Sequence, residues 1–241
     1  MATKFEFEWR FWIITAIYWS GFVLYNFDHR GVAETLLRIT APSVPPASPG
    51  GVIIQQAILL AGALLVFFAA LFRTWATAYL GADVMSDQKL HSDSLAVDGP
   101  YRHTRNPLYF ANLPLAVGVG VFSNPTGFLL ICLANTLFVF RLIAREEANL
   151  RGSLGSVYAR YSAEVPRFWP SFKPRVPASG RTPRWRQAFF GELLLWLIGV
   201  ALVLFVVTLN QRLLLGGIAI SFAVSLGLGF VTKRRTASVQ P

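Results

Sequence analysis

Two polar stretches decide the fold of this chain, DGPYRHTRNPLYF at residues 98–110 and EEANLRGSLGSVYARYSAEVPRF at residues 146–168. Between them lie two apolar runs separated only by SNPT at residues 123–126. So short a turn predicts an antiparallel helical hairpin, which brings both polar stretches to the same side of the fold. Polar groups at the edge of a bilayer are costly unless they have partners or a function. The sequence therefore predicts a functional site where these stretches meet.

The rest of the chain is strongly apolar. Of its 241 residues, 54% are hydrophobic, 14% aromatic and only 14% charged, a composition unlike that of ordinary soluble domains. Six segments approach the roughly 17 to 25 apolar residues that a helix needs to cross a bilayer. These segments are residues 9–24, 52–72, 107–122, 127–143, 189–209 and 213–231. We expect an all-α polytopic membrane protein of about six transmembrane helices, with a cytoplasmic-side cofactor site.

The net charge of +10 does not indicate a nucleic-acid partner, because the cations follow the apolar segments. Nine Lys or Arg residues lie between residues 145 and 189, and three more at residues 233–235, whereas the loop at residues 25–51 has two. The positive-inside rule then places both termini in the cytoplasm. We expect an integral protein of a bacterial inner (plasma) membrane, in contact with membrane lipids.

The chain is expected to form a single membrane domain over residues 1–241. Its parts are an N-terminal helix pair (1–75), a core with the hairpin (76–170), and a basic loop with a C-terminal helix pair (171–241). The Pro-rich, basic loop at residues 172–186 is expected to lie along the cytoplasmic leaflet, as a linker or as a lid over a site. A single cysteine, Cys132, excludes an internal disulfide and a cysteine-based metal cluster, so no metal site is predicted.

The first polar stretch has the signature of a helix start. Asn106 suits the N-cap position, and Pro107 suits the first helical position. Arg102 and Arg105 stand just before this start, where unpaired N–H groups and the helix dipole favour an anion such as a carboxylate. The alternative is that these arginines are ordinary anchors at the membrane surface.

The second polar stretch opens with two acids. Glu146 and Glu147 are expected at the C-terminus of the fourth helix, where the dipole disfavours carboxylates. Pairing with Arg151, four residues after Glu147, is one explanation. The other is functional, because the hairpin brings the acids beside Arg105, and a zwitterionic amino-acid group fits between opposite charges.

The order GPYRxxRxPxY, short hairpin, EExxLxxxxGxxYxxYxxxVPRFxP is similar to the isoprenylcysteine carboxyl methyltransferase and phospholipid methyltransferase family of integral membrane enzymes. The resemblance covers residues 87–170. It implies an enzyme that binds S-adenosylmethionine at the cytoplasmic side and methylates a lipophilic acceptor entering from the bilayer. Isoprenylcysteine carboxylates, lipid amines and small lipophilic thiols are acceptors of this kind. The motif positions are Arg105, Pro107, Tyr109, Glu146, Glu147, Tyr158, Tyr161, Pro166 and Arg167.

By this resemblance, the cofactor-binding residues are Arg105, Asn106, Pro107, Tyr109, Glu146, Glu147, Tyr158 and Tyr161. The expected roles are Arg105 and the helix start for the cofactor carboxylate, Glu146 or Glu147 for its ammonium, and the two tyrosines for its aromatic or sulfonium part. Arg167 and Glu147 are the expected catalytic residues, with Arg167 on the acceptor or cofactor side.

One departure from the family pattern concerns the helix start. The family usually has histidine where this chain has Asn106, which cannot titrate near neutral pH. His103, three positions earlier, is the candidate replacement. Two other functions stay open: an NADPH-dependent membrane reductase related to sterol reductases, and a non-catalytic membrane scaffold with a decayed site.

Overall fold

The computed structural model describes residues 1–80 and 96–237, with side chains up to Gly229. The start of the family resemblance, from residue 87, and part of the expected core therefore lie outside the described residues. In the described ranges the regular elements are helices, with short 3₁₀ turns at Leu24–Asn26 and Gly99–Arg102. The helices are α1 (Lys4–Glu8), α2 (Arg10–Val23), α3 (Val32–Thr40), α4 (Pro49–Leu80), α5 (Pro107–Phe110), α6 (Asn112–Gly120), α7 (Pro125–Leu154), α8 (Ser156–Glu164), α9 (Trp185–Gly191), α10 (Leu193–Thr208) and α11 (Gln211–Ala237).

The all-α prediction holds for the described residues, but six membrane spans are not confirmed. By length and composition, α4, α7 and the Gln211–Gly229 part of α11 are able to cross a membrane. The pair α9 and α10 makes a fourth span if the two helices, bent by 59°, are counted as one. Helix α2 has 14 residues, and Pro107–Gly120 is a short apolar helix broken at Ala111, so both are shorter than a full span.

The predicted hairpin is present between α6 and α7. Asn124 caps α7 by accepting a hydrogen bond from the N–H of Gly127 at 2.7 Å, and Pro125 occupies the first helical position. The sequence suggested that this helix ends after its apolar run. In the structure it continues to Leu154 and ends at Gly155, whose φ is +48°. The two acids therefore lie inside α7, before its last turn. The helix dipole acts strongly only in that last turn.

The core lies between α4, α6 and α10. Small residues allow α4 and α6 to approach closely, since a Cβ at Gly62 would lie 2.9 Å from the carbonyl oxygen of Gly118. Around this contact, apolar side chains from the three helices are buried together. They include Ala63, Val66, Ala69, Leu115 and Leu202.

The C-terminal helix pair is joined to α4 by a buried ion pair. The Arg73 Nε atom lies 2.7 Å from Glu192 Oε2, and the two side chains are 18% and 3% exposed. Thr77 donates a further hydrogen bond to this carboxylate at 3.0 Å. Breaking such a pair leaves an uncompensated buried charge, so the pair fixes α10 against α4.

Residues 166–184, here called the strap, run antiparallel to the first polar stretch. Their backbone is hydrogen-bonded along its length to residues 98–105 and to the end of α4. The bonds join Arg105 N to Pro166 O (2.9 Å), Ser171 N to His103 O (2.9 Å), Arg175 N to Arg102 O (2.8 Å), Ser179 N to Asp98 Oδ1 (2.8 Å) and Arg184 N to Ala78 O (2.9 Å). The loop predicted at residues 172–186 is therefore fastened across the first polar stretch.

Residues 1–8, here called the arm, dock on the other side of α7. The Ala2 N–H donates to the carbonyl of Arg141 at 3.0 Å, and the Arg145 guanidinium donates to the Ala2 carbonyl at 2.9 Å. Glu6 accepts two bonds of 2.8 Å from Arg141. Strap and arm thus approach the second polar stretch from opposite sides.

Candidate functional site

The two polar stretches meet at the carboxylate of Glu147, which is 4% exposed. Its Oε2 atom accepts a hydrogen bond from Arg167 Nε at 2.9 Å. Its Oε1 atom lies 3.3 Å from both the Arg105 guanidinium and the Asn106 amide nitrogen. Two guanidinium groups around one carboxylate leave the Glu147 cluster (Arg105, Asn106, Glu147 and Arg167) with an excess positive charge.

Each member of this cluster is held by the surrounding backbone. Helix α7 carries Glu147, the loop before α5 carries Arg105 and Asn106, and the strap carries Arg167. The Asn106 amide also donates to the carbonyl of Arg167 at 2.8 Å, and the Thr104 hydroxyl donates to the carbonyl of Phe168 at 2.9 Å. The cluster is therefore part of the joint between three chain segments.

The expected role of Asn106 as a helix cap is only partly met. Helix α5 does begin at Pro107, with Asn106 in the cap position, but the Asn106 side chain makes no capping bond. Instead its amide bonds to Glu147 and to the strap. Helix α5 has only four residues before the break at Ala111, although Ala111 itself keeps helical dihedral angles.

The acidic pair also departs from its predicted partners. Glu147 pairs with Arg105 and Arg167 instead of Arg151. Glu146 lies outside the Glu147 cluster, on the side of α7 that faces the Tyr109 hydroxyl and the guanidinium of Arg10. Since Glu147 has three donors already, Glu146 is the carboxylate of the pair that is less engaged by the protein.

Tyr158 and Tyr161 lie on α8 and are buried, with ring centroids 6.1 Å apart. The Tyr161 hydroxyl donates to the carbonyl of Tyr101 at 2.8 Å. Burial raises the pKa of both tyrosines, and the nearby Glu147 carboxylate raises that of Tyr158 further. Both hydroxyls therefore stay protonated at neutral pH and act as hydrogen-bond donors.

Two buried polar atoms beside Glu147 lack partners among the residues that the structure describes. They are the Tyr158 hydroxyl, on a side chain only 1% exposed, and the Nε atom of Arg105. The Arg105 guanidinium lies near enough to the Tyr158 oxygen to donate to it, and Glu147 is a nearby carboxylate, but neither provides an acceptor that meets hydrogen-bond geometry for the Tyr158 O–H. Buried donors without acceptors are rare in folded proteins, so these two atoms mark a place where a ligand or water acceptor fits.

His103, the candidate replacement for the family histidine, contacts the strap. Its Nδ1 atom is 2.7 Å from the carbonyl oxygen of Ser171, which ties the ring to the strap. Asp98, Thr104 and Ser179, which fasten the strap, were not singled out from the sequence. Arg73 and Glu192 were also missed, although a charged residue inside or at the end of an apolar run is a usable signal. In the described ranges, no three His, Cys, Asp or Glu residues are grouped as for a metal ion.

An apolar cavity of about 390 Å³ opens between α4, α6 and α7. It is lined by Leu65, Phe68, Phe110, Leu113, Pro114, Ala116, Val117, Cys132, Thr136 and Trp169. The rings of Phe110 and Trp169 both contact the ring of Phe168, the residue after Arg167. Their centroids lie 5.8 and 5.6 Å, respectively, from the Phe168 centroid. A hydrophobic cavity therefore ends beside the charged cluster.

Comparison with known proteins identifies the central part of the chain. The sequence profile of the phospholipid methyltransferase family (PEMT) matches residues 57–156, somewhat less than half of the chain. The cobalt-zinc-cadmium resistance protein CzcN of Cupriavidus metallidurans is 26% identical over 120 residues, which are 50% of this chain and 52% of that protein. The chain thus matches about half the length of this relative. No solved structure matches the chain. The resemblance expected from the two polar stretches is confirmed, since residues 57–156 match the profile of the phospholipid methyltransferase family.

Proposed function

We propose that the protein is an S-adenosylmethionine-dependent membrane methyltransferase that acts on a lipophilic acceptor. The observation that carries the proposal is the Glu147 cluster, with its buried unpartnered donors, placed beside an apolar cavity in a chain whose residues 57–156 match the phospholipid methyltransferase family. When bound, S-adenosylmethionine would supply a methyl group on a sulfonium, the acceptor's lone pair forming a bond to the methyl carbon as the carbon–sulfur bond breaks and S-adenosylhomocysteine leaves. The protein's contribution is to bind, orient and exclude water.

The residues fit the amino-acid end of this cofactor. The free Nε atom of Arg105 and the Tyr158 hydroxyl are donors for a carboxylate, and the excess positive charge of the Glu147 cluster favours an anion there. Glu146, which the protein engages less, is the acid that we assign to the ammonium group. Glu147 is then a positioning residue, since its oxygens hold Arg105 and Arg167 in place.

For the acceptor, the apolar cavity provides the binding surface for a hydrocarbon group. Its volume is within the range of small-molecule sites, and its lining has no charged side chain. The strap covers the polar side, which limits the access of water to a nucleophilic thiolate, amine or carboxylate. We infer that the acceptor enters from the bilayer and presents its nucleophile near Arg167.

The topology belongs to the same proposal. Because S-adenosylmethionine is made in the cytosol, we propose that strap and arm face the cytoplasm, as the distribution of cations indicates. A cysteine introduced at Ser179 should then resist an impermeant thiol reagent in intact cells. Labelling there would place the site on the wrong face.

The test is equilibrium binding of S-adenosylmethionine and of NADPH to the detergent-purified protein. We expect saturable binding of S-adenosylmethionine that S-adenosylhomocysteine displaces, and none of NADPH. Saturable NADPH binding by the folded protein would support the reductase instead, an alternative that the family match does not favour. A folded protein that binds neither ligand would be the scaffold.

A further inference from the structure

The outer surface of the strap and of α9 has an unusual charge. Residues 168–191 include no Asp or Glu, and they contribute five exposed cations. These are Lys173, Arg175, Arg181, Arg184 and Arg186. We call the exposed side chains of residues 169–190 the basic face. Asp98, which is buried and accepts hydrogen bonds from the Ser179 and Arg181 backbone N–H groups, offsets at most one of these positive charges.

Large aromatic side chains are exposed among these cations. Phe172 is fully exposed, at 105%, and Trp169, Phe190 and Trp185 are 69%, 52% and 50% exposed. In water, such exposure of aromatic surface is unfavourable. At a membrane surface the same side chains are stabilised, because the interface accepts an apolar ring and a polar edge together.

The geometry of α9 gives this face its depth relative to the bilayer. Helix α10 is apolar, and together with α9 it is long enough to span a membrane. Helix α9 is, however, bent away from α10 by 59°. The bend lies at Glu192, next to the buried pair with Arg73. If α10 alone is the membrane-crossing part, the bend turns α9 towards the membrane surface, with Trp185 and Phe190 at that level.

We propose that the basic face is a binding surface for the headgroups of acidic phospholipids. The exposed cations Lys173, Arg175 and Arg186 complement the phosphate and net negative charge of such lipids. The exposed aromatic rings favour a lipid surface over a soluble polyanion, which offers no apolar phase for them. This interaction is separate from methyl transfer and does not depend on a cofactor.

Lipid selectivity in vesicles tests the proposal directly. The protein is reconstituted in phosphatidylcholine vesicles with a trace of spin-labelled phosphatidylglycerol or phosphatidylcholine, and the motionally restricted fraction of each label is measured. We expect the label on phosphatidylglycerol to associate more strongly with the wild-type protein. Its advantage should fall about threefold or more in Lys173→Gln/Arg175→Gln, because cations near the surface attract acidic lipids.

The matched control is Arg151→Gln/Arg160→Gln, which removes two exposed cations from the end of α7 and from α8. It should keep most of the selectivity, and 0.5 M salt should weaken the selectivity of the wild type. Equal association of the two labels with wild type would overturn the proposal, as would an equal loss in the control. If the double variant does not fold, Lys173→Gln alone decides by the same measurement.

Discussion

Glu146 and Glu147 are adjacent in the chain but belong to two different regions of the molecule. Glu147 is buried beneath the strap and bonded to Arg105 and Arg167 at 3.3 and 2.9 Å. Glu146 faces the arm side of α7, near Tyr109, and is not in the Glu147 cluster. Successive helical residues point about 100° apart, so one motif serves two surroundings. The comparison teaches that an acidic pair in sequence is not one functional unit: one acid organises the site, and the other is available to a ligand.

The largest effect should come from separating these roles. Glu147→Gln removes the charge shared by two guanidinium groups, and we expect a loss of about 3 kcal/mol in unfolding free energy, the lower end for a broken buried pair because Arg167 is partly exposed. Thermal unfolding of the purified protein without ligand measures this loss.

The matched control is Glu146→Gln. We expect a melting temperature close to wild type but S-adenosylmethionine binding weaker by about tenfold, the loss of one charge-assisted hydrogen bond. If Glu146→Gln destabilised the protein as much as Glu147→Gln, the distinction between the two regions would be wrong. Unchanged affinity in Glu146→Gln would remove this acid from the site.

Much of this arrangement could be predicted from local sequence patterns. The hairpin followed from the short SNPT turn, and the start of α5 at Pro107 followed from Asn106 and Pro107. The length of α7 could not be predicted, because the polar residues after its apolar run look like the end of a span while still being able to form a helix. Hydropathy predicts which residues can lie inside the membrane, but it does not predict where a helix ends.

The partners of the polar side chains were harder to predict, because they depend on contacts distant in sequence. The sequence offered Arg151 to Glu147 by helix spacing, whereas the structure supplies Arg167 from the strap. Similarly, Asn106 looked like a cap, yet its amide joins two other segments. Local rules identify which residues are polar and where a helix starts, but tertiary packing decides which donor reaches which acceptor.

A smaller effect is expected at Asn106, which tests the joint between strap and α7. Asn106→Ala removes hydrogen bonds to Glu147 and to the Arg167 carbonyl, so we expect a loss of about 1 to 2 kcal/mol in stability and weaker cofactor binding. Asn106→His restores the family residue. It should fold, bind S-adenosylmethionine and give methyl transfer a pH dependence near about 6 to 7 if imidazole takes part. If Asn106→Ala changes neither stability nor affinity, the joint is not part of the site.

The two tyrosines of α8 allow a similar comparison with a smaller energy. Tyr161→Phe loses the bond to the Tyr101 carbonyl and should cost about 1 kcal/mol of stability. Tyr158→Phe loses a hydroxyl without a partner in the described residues, so the melting temperature should not fall. Its S-adenosylmethionine affinity should drop by about threefold to tenfold, as for one lost neutral hydrogen bond. A reversed pattern, with Tyr158→Phe less stable and equally tight, would make that hydroxyl structural.

The smallest effect concerns how the strap is fastened at its far end, and it appears as a dependence on pH. Burial acts to raise the pKa of Asp98, but hydrogen bonds from the Ser179 hydroxyl and from backbone N–H groups outweigh it and hold the pKa below the ordinary value of 3.8. A carboxyl with a lowered folded-state pKa stabilises the protein above the unfolded-state value, and this contribution is lost as the pH falls through the folded-state pKa. The wild-type protein should therefore have a higher melting temperature than Asp98→Asn at about pH 6, and the difference should shrink at about pH 3 as Asp98 becomes protonated.

Glu6→Gln is the comparison on the arm side, where hydrogen bonds from Thr3 and Arg141 lower the pKa of Glu6 to about 2. Since the Glu6 side chain lies at the surface and is 24% exposed, its variant should shift the melting temperature less than Asp98→Asn at both pH values. A difference between wild type and Asp98→Asn that is constant with pH would mean that the ionised carboxylate does not hold the strap.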